Sequence, residues 1–398
     1  MPAGLSYQQM MRVPYIMGVI SRIHAPGNLL CQYYGLGITG RVVGNILGRA
    51  GQYDIFDGTR SLVPGSAPGA PPIQINRKPV GSIPITVPRL SYAIGIEDEQ
   101  IFGTRRLGAN ASAPVDDGGK QYMANQLQYA KQRLNNSHEF MASRMFAGGW
   151  GMKATAGSQL LQFTEIGTSG NSYENLTRIP SVHKNQITEN GTSIITDSWD
   201  NPGADILTQL MNLQKRAARV NGRRITEIWM NATTATPLFT NSVLQGIGGA
   251  VYKIWDTLNP TTEIGPNQKF PDTGVTVQFR ALPDYKFHIY NQGYVLPGTS
   301  EDFASQIDAT KWMPFIPDNV AIMTPSPGEW CGMVQGSERM QWNLLQGGSQ
   351  TIFGFGMGTE RSINPPKTDI KFLYNGAPVI TEPYSCYYAT VIFTGAPS

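Results

Sequence analysis

The chain holds one long, uninterrupted helical pattern. From Gln121 to Phe146, the residues Met123, Leu127, Ala130, Leu134, Ser137, Met141 and Met145 recur three or four apart, which places them on one stripe of an α-helix. Gln121, Asn125, Gln128, Gln132, Asn135, Asn136 and Glu139 fall mostly on the other side, so the predicted helix is amphipathic. Asp116 and Asp117 stand where carboxylates accept the free N–H groups of a first turn, and Gly148 and Gly149 stand where a left-handed turn closes a helix. At 1.5 Å per residue this helix runs roughly 39 Å. Elsewhere the chain is broken up by 44 glycines and 28 prolines. A helix of this length must therefore lie as a strut along a body made of strands and loops.

A length of 398 residues suggests two or three structural units. Only 15% of the residues are charged, and Asn, Gln, Ser and Thr fill the polar surface. Such a surface packs against copies of itself without burying many charges, although an ordinary β-rich domain with long loops has the same composition. The net charge of +3 is too small to imply a nucleic-acid binder by itself, and no basic run interleaves with aromatics. Cys31, Cys331 and Cys386 are odd in number and far apart, which fits buried thiols in a reducing compartment better than a disulfide frame. Arg12 and Pro14 break the apolar residues of the N-terminus, which reads as neither a signal peptide nor a membrane span.

Gly35, Gly37 and Gly40 form a G-x-G-x-x-G after the apolar stretch Leu29 to Tyr34, with a helix-like Arg41 to Arg49 behind them and Asp54 and Asp57 further on. In a dinucleotide site such glycines let the backbone approach a pyrophosphate at a helix N-terminus. The expected helix carries Gly44 and Gly48, each costing about 1 kcal/mol against alanine. The preceding stretch is polar and aromatic where a central parallel strand is rich in Val and Ile, and no second βαβ pattern follows. The bland reading is an irregular arm lying across other surfaces.

Gly51 to Pro88 is a long Pro/Gly excursion in which Ile73 and Ile75, then Ile83, Ile85 and Val87, alternate with polar residues. These read as two strands of a hairpin with Arg77 and Lys78 at its tip, and Pro84 leaves a free edge on the second strand. A hairpin is barely stable alone, so it needs a partner surface. Glu97, Asp98 and Glu99 are answered by Arg105 and Arg106. With no histidine nearby in sequence, they read as interface or surface ion pairs rather than a metal site.

After the long helix, Leu160 to Ile166 reads as a strand and Gly167 to Thr196 as a polar surface loop. Asn201 and Pro202 start a second helix with the buried stripe Ile206, Leu210, Leu213, Ala217 and Val220, closed by Asn221-Gly222. Ile225 to Met230 is a predicted strand and Pro237 to Leu244 a short helix. Further strands are expected at Val275 to Phe279, Tyr285 to Ile289, Val320 to Met323 and Ile370 to Tyr374, with Asn375-Gly376 as a turn before Ala377 to Ile380.

The order of these pieces carries a resemblance. Asp54-Ile55-Phe56-Asp57, Arg60-Ser61-Leu62-Val63-Pro64, Pro88-Arg89, Gly103-Thr104-Arg105-Arg106-Leu107-Gly108 and the long helix stand in the order seen in tailed-bacteriophage major capsid proteins. The likeness is to the lambda-type capsid protein E family in particular. Met313-Pro314-Phe315-Ile316-Pro317 with Val320 to Met323, and Asn364-Pro365-Pro366 with the strands behind it, also resemble that family. The resemblance touches most of the chain through short motifs whose order carries the weight. The loop after the long helix and the stretch Gly246 to Pro271 have no family counterpart.

The resemblance implies an α+β, Hong-Kong-97-like fold. Residues 1–50 would be an N-terminal arm, 51–100 an extended hairpin loop and 101–200 a peripheral domain with the spine helix at 121–146. Residues 201–362 would be an axial α/β domain and 363–398 strands returning to the peripheral domain. It also implies a non-enzymatic shell protein that assembles as hexamers and pentamers around double-stranded DNA, located in the virion after assembly in the host cytoplasm. A scaffolding protein, a portal and, for some members, a decoration protein would be its partners. No cofactor, metal or membrane is implied. Some members cross-link through a lysine on the extended loop; Lys78 stands there, with no matching asparagine or acid identified.

Chemistry finds little support otherwise. His24, His138, His183 and His288 are scattered, with no H-E-x-x-H, C-x-x-C, phosphate-loop or G-x-S-x-G pattern. His138 flanks the polar face of the long helix, so solvent or an interface is expected there. The rival readings are a nanocompartment shell of the same fold with protein cargo, and a dinucleotide enzyme built on Gly35, Gly37 and Gly40.

Overall fold

Two sheets, with the long helix lying on one of them, form the body of this computed structural model. It describes residues 28–56, 80–97, 117–147, 150–154, 161–165, 174–177, 188–189, 192–220, 222–244, 252–257, 274–295, 312–342, 348–363 and 366–393. Along the chain these form α1 (Leu29–Tyr34), β1 (Val42–Ile46), β2 (Ala50–Phe56), β3 (Val80–Thr86), β4 (Arg89–Glu97) and α2 (Asp117–Phe146). Short strands follow: β5 (Trp150–Ala154), β6 (Leu161–Glu165), β7 (Glu174–Thr177), β8 (Thr188–Glu189) and β9 (Thr192–Ser193). Next come α3 (Ile206–Val220), β10 (Glu227–Met230), α4 (Ala232–Ala235), β11 (Tyr252–Asp256), β12 (Val275–Phe279), β13 (Lys286–Ile289), β14 (Gly293–Val295), β15 (Trp312–Pro314) and β16 (Val320–Thr324). The chain ends in three long strands, β17 (Cys331–Trp342), β18 (Gly348–Ile363) and β19 (Pro366–Ile380), and in β20 (Tyr387–Thr390).

The first sheet has the order β1-β17-β18-β19-β4. β1 joins parallel to β17 and the other pairings are antiparallel. β19 is its axis. On one side it pairs with β4 over Lys367 to Asn375; on the other it pairs first with β18 and then, from Gly376 to Ile380, with β17. Asn375-Gly376, expected as a turn, is therefore mid-strand, at the point where the partner changes. Gly354 lies opposite Asn375 with φ +67, and an added Cβ there would stand 2.7 Å from the Gln335 side chain. Glycine lets β18 bend away from β17 at that point. The Asn375 side chain donates to Glu338 at 2.7 Å, and Glu338 pairs with Arg89 at 2.8 Å, which ties β19, β17 and β4 together.

The long helix is realised as α2, 30 residues and roughly 45 Å. Met123, Leu127 and Ala130 pack on Ile96, Met357, Ile370 and Phe372 of the first sheet. Asp116, Gly148 and Gly149 lie outside the described residues. Past Leu134 the expected polar face is not wet: Asn135, His138, Glu139, Ser143 and Arg144 are all buried. The reason is tertiary. α1 packs against this half, and Leu134, Phe140, Met141, Met145 and Phe146 share one core with α1, β17 and residues of the second sheet.

The second sheet has the order β11-β12-β13-β10-β16-β20, antiparallel except for the parallel pair β10–β13. α3 buries Ile206, Leu210, Leu213 and Ala217 in the core of this sheet, as its spacing predicts, while Val220 is half-buried. The helix begins four residues after the expected Pro202. Asp205 accepts the Thr208 N–H at 3.0 Å, and Asn201 instead closes a turn on Gly203. Gly222, at φ +76, returns its N–H to Ala217 and ends the helix. The predicted short helix at Pro237 to Leu244 is met by a 3-10 turn at Thr236–Thr240 and by helical residues 242–244, with α4, capped by Asn231, just ahead of them.

After Thr324 the chain leaves the second sheet, and β17, β18 and β19 belong to the first sheet. The tail does not stay with the first sheet either, because β20 comes back to pair with β16. The expected partner of the Ile83–Ile85 strand also changes. β3 pairs along its whole length with β2, Ile83 opposite Tyr53 and Ile85 opposite Gly51, while Ile73 and Ile75 lie outside the described residues. Pro84, opposite Gln52, sits in a two-stranded ladder, where the missing donor leaves no third strand unbonded.

Candidate assembly surfaces and the junction between the sheets

Four ladders lack a third strand among the described residues: the short β8–β9 and β14–β15, and two longer ones. One is β2–β3, rooted by buried Tyr53 and Ile85. The other is the outer half of β17–β18, from Ser337 opposite Phe353 to Trp342 opposite Gly348. It continues past Gly336, where β1 stops, and past the reach of β19. A two-stranded ladder is marginal in water, and its outer N–H and C=O groups offer pairing to another chain. At the root of the second ladder the Gly48 N–H donates to Ser337 Oγ at 2.8 Å. Leu47 beside it is 84% exposed and Phe353 is 40% exposed. Trp312 and Met313, on the β14–β15 ribbon, are also exposed.

Between the two sheets, α1 is gripped from both sides. On the α2 side, Glu139 is fully buried, and its two oxygens accept the Leu30 N–H at 2.7 Å and the Cys31 N–H at 3.0 Å. On the second-sheet side, Tyr33 donates to Glu227 Oε2 at 2.9 Å. Tyr34 Oη accepts from Trp229 Nε1 at 2.7 Å and shares a hydrogen bond with Thr324 at 2.5 Å. Glu227 is fully buried and also takes hydrogen bonds from Thr226 and Ser326 at 2.9 Å each and from His288 Nε2 at 2.7 Å. His288 Nδ1 meets Thr276 Oγ1 at 2.8 Å, and the ring stacks on Trp229 at 4.1 Å.

The two carboxylates differ electrostatically. Burial pushes Glu139 up to about 7, against the hydrogen bonds from Cys31, Leu30 and Tyr290. Burial also penalises Glu227, but the hydrogen bonds from His288 and Ser326 and the positive charge of Lys286 outweigh it and hold that carboxyl down at about 2. Burial lowers His288, opposed by Glu227. The neutral ring, Nε2–H to Glu227 and Nδ1 accepting from Thr276, satisfies every polar atom of the cluster.

Of the residues the sequence proposes for interfaces, Glu97 is the last residue of β4, opposite Lys367. Arg77, Lys78, Asp98, Glu99, Arg105 and Arg106 lie outside the described residues. The glycine motif is overturned as a cofactor loop. A helix precedes it and a strand follows it, the reverse of a dinucleotide turn. Gly35 is the left-handed C-cap of α1, at φ +64, and a Cβ on Gly40 would stand 2.6 Å from the Leu36 carbonyl carbon. A cleft of about 590 Å³ opens beside β1 and β2, lined by Arg41, Asn45, Gln52, Asp54, Glu329 and Glu382 among others, with none of the three glycines in its wall. His138 is not at a wet face. It is buried against Tyr374, ring centroids 4.2 Å apart, with neither nitrogen hydrogen-bonded, and burial lowers it to about 3. His24 and His183 lie outside the described residues. Sequence reasoning missed Glu139, Glu227 and Tyr33. The available signal was Glu227, a lone carboxylate inside the apolar run Ile225 to Met230.

No protein-family model matches the chain, and no curated protein matches it. Solved structures do. A protein designated a prophage capsid protein, from Escherichia coli CFT073, is 12% identical, with 96% of this chain and 99% of that chain covered and a TM-score of 0.51. The chain has a Hong-Kong-97-type capsid fold. A phage-related protein from Bordetella bronchiseptica is 9% identical over 94% of this chain and 95% of that chain, with a TM-score of 0.45. The capsid of cyanophage P-SCSP1u gives 12% identity, 92% and 88% coverage, and a TM-score of 0.43. At these identities the likeness is one of fold.

Proposed function

We propose that this chain is the major capsid protein of a tailed phage, self-assembling into the icosahedral shell that encloses the double-stranded DNA genome. The observation that carries the reading is the end-to-end backbone likeness to the prophage capsid protein, which spans 96% of the chain rather than one motif. The two longer ladders without a third strand support it, because among the described residues each has unpaired edges that a neighbouring subunit can cover. Many such contacts, each weak, hold a shell together because they must break together. A net charge of +3 suits a wall that does not bind its genome tightly. In this reading the role is structural rather than catalytic. The subunits group in fives and sixes, scaffolding, portal and decoration proteins are the partners, and assembly takes place in the host cytoplasm. Arg77, Lys78, Glu97, Asp98, Glu99, Arg105 and Arg106 are the proposed interface charges on and around the extended loop.

The test is to express the chain alone and with its neighbouring genes and to image the product by negative-stain electron microscopy. Closed or malformed shells, or rings of five and six, are expected. A uniform dimer or tetramer under every condition would remove the reading. Nucleic acid inside purified particles supports a viral shell, whereas a protein cargo would move the assignment to a nanocompartment. A denaturing gel of mature particles showing monomer alone would exclude cross-linking through Lys78.

A further inference from the structure

We propose that the cleft between β1 and β2 is a slot for one extended strand, and that Tyr15 to His24 of this chain fill it. Side chains of a strand alternate between two faces, so a strand that turns a face to a cleft lines it with every second residue. Here successive residues form the wall: Val43 to Ile46 on β1 and Gln52 to Asp54 on β2. Both strands therefore turn an edge toward the cleft. On its other edge β1 is bonded to β17, and β2 to β3; among the described residues neither strand has a further partner. At the turn between them Ile46 packs directly on Gly51, and further out the cleft of about 590 Å³ keeps them apart. Buried Ile46 and Tyr53 give it an apolar floor. An extended segment laid there meets backbone N–H and C=O groups on both sides, which is the mode of strand addition to a sheet edge.

Tether, sequence and charge select the occupant. Arg41, in the cleft wall, donates its N–H to the Gly35 carbonyl at the end of α1, at 2.8 Å. α1 is six residues, about 9 Å long. The four residues from His24 to Asn28 span up to about 14 Å when extended, so they reach from the start of α1 to the cleft. A tether this short holds the segment at about millimolar effective concentration, well above that of a second molecule in dilute solution. Ile16, Val19, Ile20 and Ile23 favour a strand, and Pro14, which lacks a donor, falls just outside it. Residues 1–27 contain Arg12 and Arg22 and no acid. The cleft wall carries Asp54, Glu329 and Glu382 against Arg41, and with Glu382 paired to Arg223 an acidic excess remains. With the segment in place, the first sheet and the β2–β3 ladder become one sheet. Two edges that invite pairing with other chains are closed, while β3 keeps its outer edge.

The inference does not rest on the shell reading and is tested on the isolated full-length chain at low concentration. Gln52→Cys, on β2, is combined in turn with Val19→Cys, Ile20→Cys, Ser21→Cys and Arg22→Cys, which cover both faces of the segment. Cys31, Cys331 and Cys386 are buried, so the new thiols are the ones that link under oxidised glutathione. A disulfide within one chain is expected for at least one pair, about tenfold or more faster than for any of the four with Met211→Cys, an exposed position on α3. Equal rates, no link, or links only between chains overturn the assignment. Hydrogen exchange gives an independent reading. In a chain lacking residues 1–24, peptides covering Val43–Ile46 and Gln52–Asp54 should lose protection by about tenfold or more, while Ile370–Tyr374 of β19, bonded on both edges, should not change. Unchanged exchange at β1 and β2 in the shortened chain overturns the slot. Should the shortened chain fail to fold, the cross-links decide alone.

Discussion

The two halves of the long helix look alike in sequence and live in different surroundings. From Gln121 to Arg133 only Met123, Leu127 and Ala130 are buried, while Gln121, Asn125, Gln128, Tyr129 and Arg133 face out. From His138 to Phe146 every residue is buried. Among the described residues the first half has one neighbour, the β4–β19 side of the first sheet. The second half has that sheet below it and α1 above, with Tyr290, Phe315 and Trp229 from the second sheet in the same core. A helical period describes a helix with one dry face, and it stops being informative where a second element covers the wet one.

The largest effects should separate these halves. Met141→Ala, in the doubly covered half, is expected to cost about 2–5 kcal/mol of unfolding free energy in a urea titration. An effect below about 1 kcal/mol would mean that this half is less tightly packed than its burial indicates. Glu139→Ala removes the acceptor for two buried N–H groups, each of which costs about 1–3 kcal/mol when unmet, so a loss near that of Met141→Ala is expected. If the loss vanished, the first turn of α1 would not depend on this carboxylate.

The two buried carboxylates extend the comparison to pH. Glu227, lowered to about 2, adds stability that is present above its ordinary value and lost as pH falls toward 2. Glu139, raised to about 7, adds stability that is present below its ordinary value and lost as pH rises through 7. Replacing Glu227 by Gln should therefore flatten the acid limb of a stability–pH curve, and replacing Glu139 by Gln should flatten the limb near neutrality. The same limb affected by both changes would show that the two sides of α1 are not independent.

His138→Leu should have a smaller effect. Both ring nitrogens lack a hydrogen-bond partner among the described residues, so an apolar side chain of similar volume removes an unmet polar cost while giving up the ring contact with Tyr374. The expected change is within about 1 kcal/mol and of either sign. A loss of several kcal/mol would reveal that the imidazole holds a hydrogen bond after all.

Legibility follows the same division. The apolar stripes of α2 and α3 and the existence of β3, β10, β12, β13 and β16 could be read from spacing and turn chemistry, because each is decided by near neighbours in sequence, whereas the expectation of a capsid-type fold came from a family resemblance in the order of motifs along the chain. Three features could not. Asn375-Gly376 reads as a turn because the dipeptide permits one, and only the competing partners β17 and β18 keep it extended. The burial of His138 and Glu139 depends on α1, about a hundred residues away in sequence, whose own polar and aromatic residues suggested an irregular arm. Tyr33, Glu227 and His288 meet only through the fold, and no local pattern brings them together.

The smallest expected change is the most useful for assembly. Gln128 lies on the exposed side of α2, one helical position after buried Leu127, in the half with a single neighbour. Gln128→Ala removes no hydrogen bond among the described residues and raises helix propensity slightly, so the stability of the isolated chain should move by no more than about 0.5 kcal/mol. A larger loss would mean that this face is already covered within one subunit, and the contrast between the two halves of the helix would fail. With stability unchanged, any change in the yield or form of particles under the electron microscope must come from contacts between chains. Gln128→Ala would then identify the open half of the helix as a surface that assembly covers, just as α1 covers the closed half within each chain.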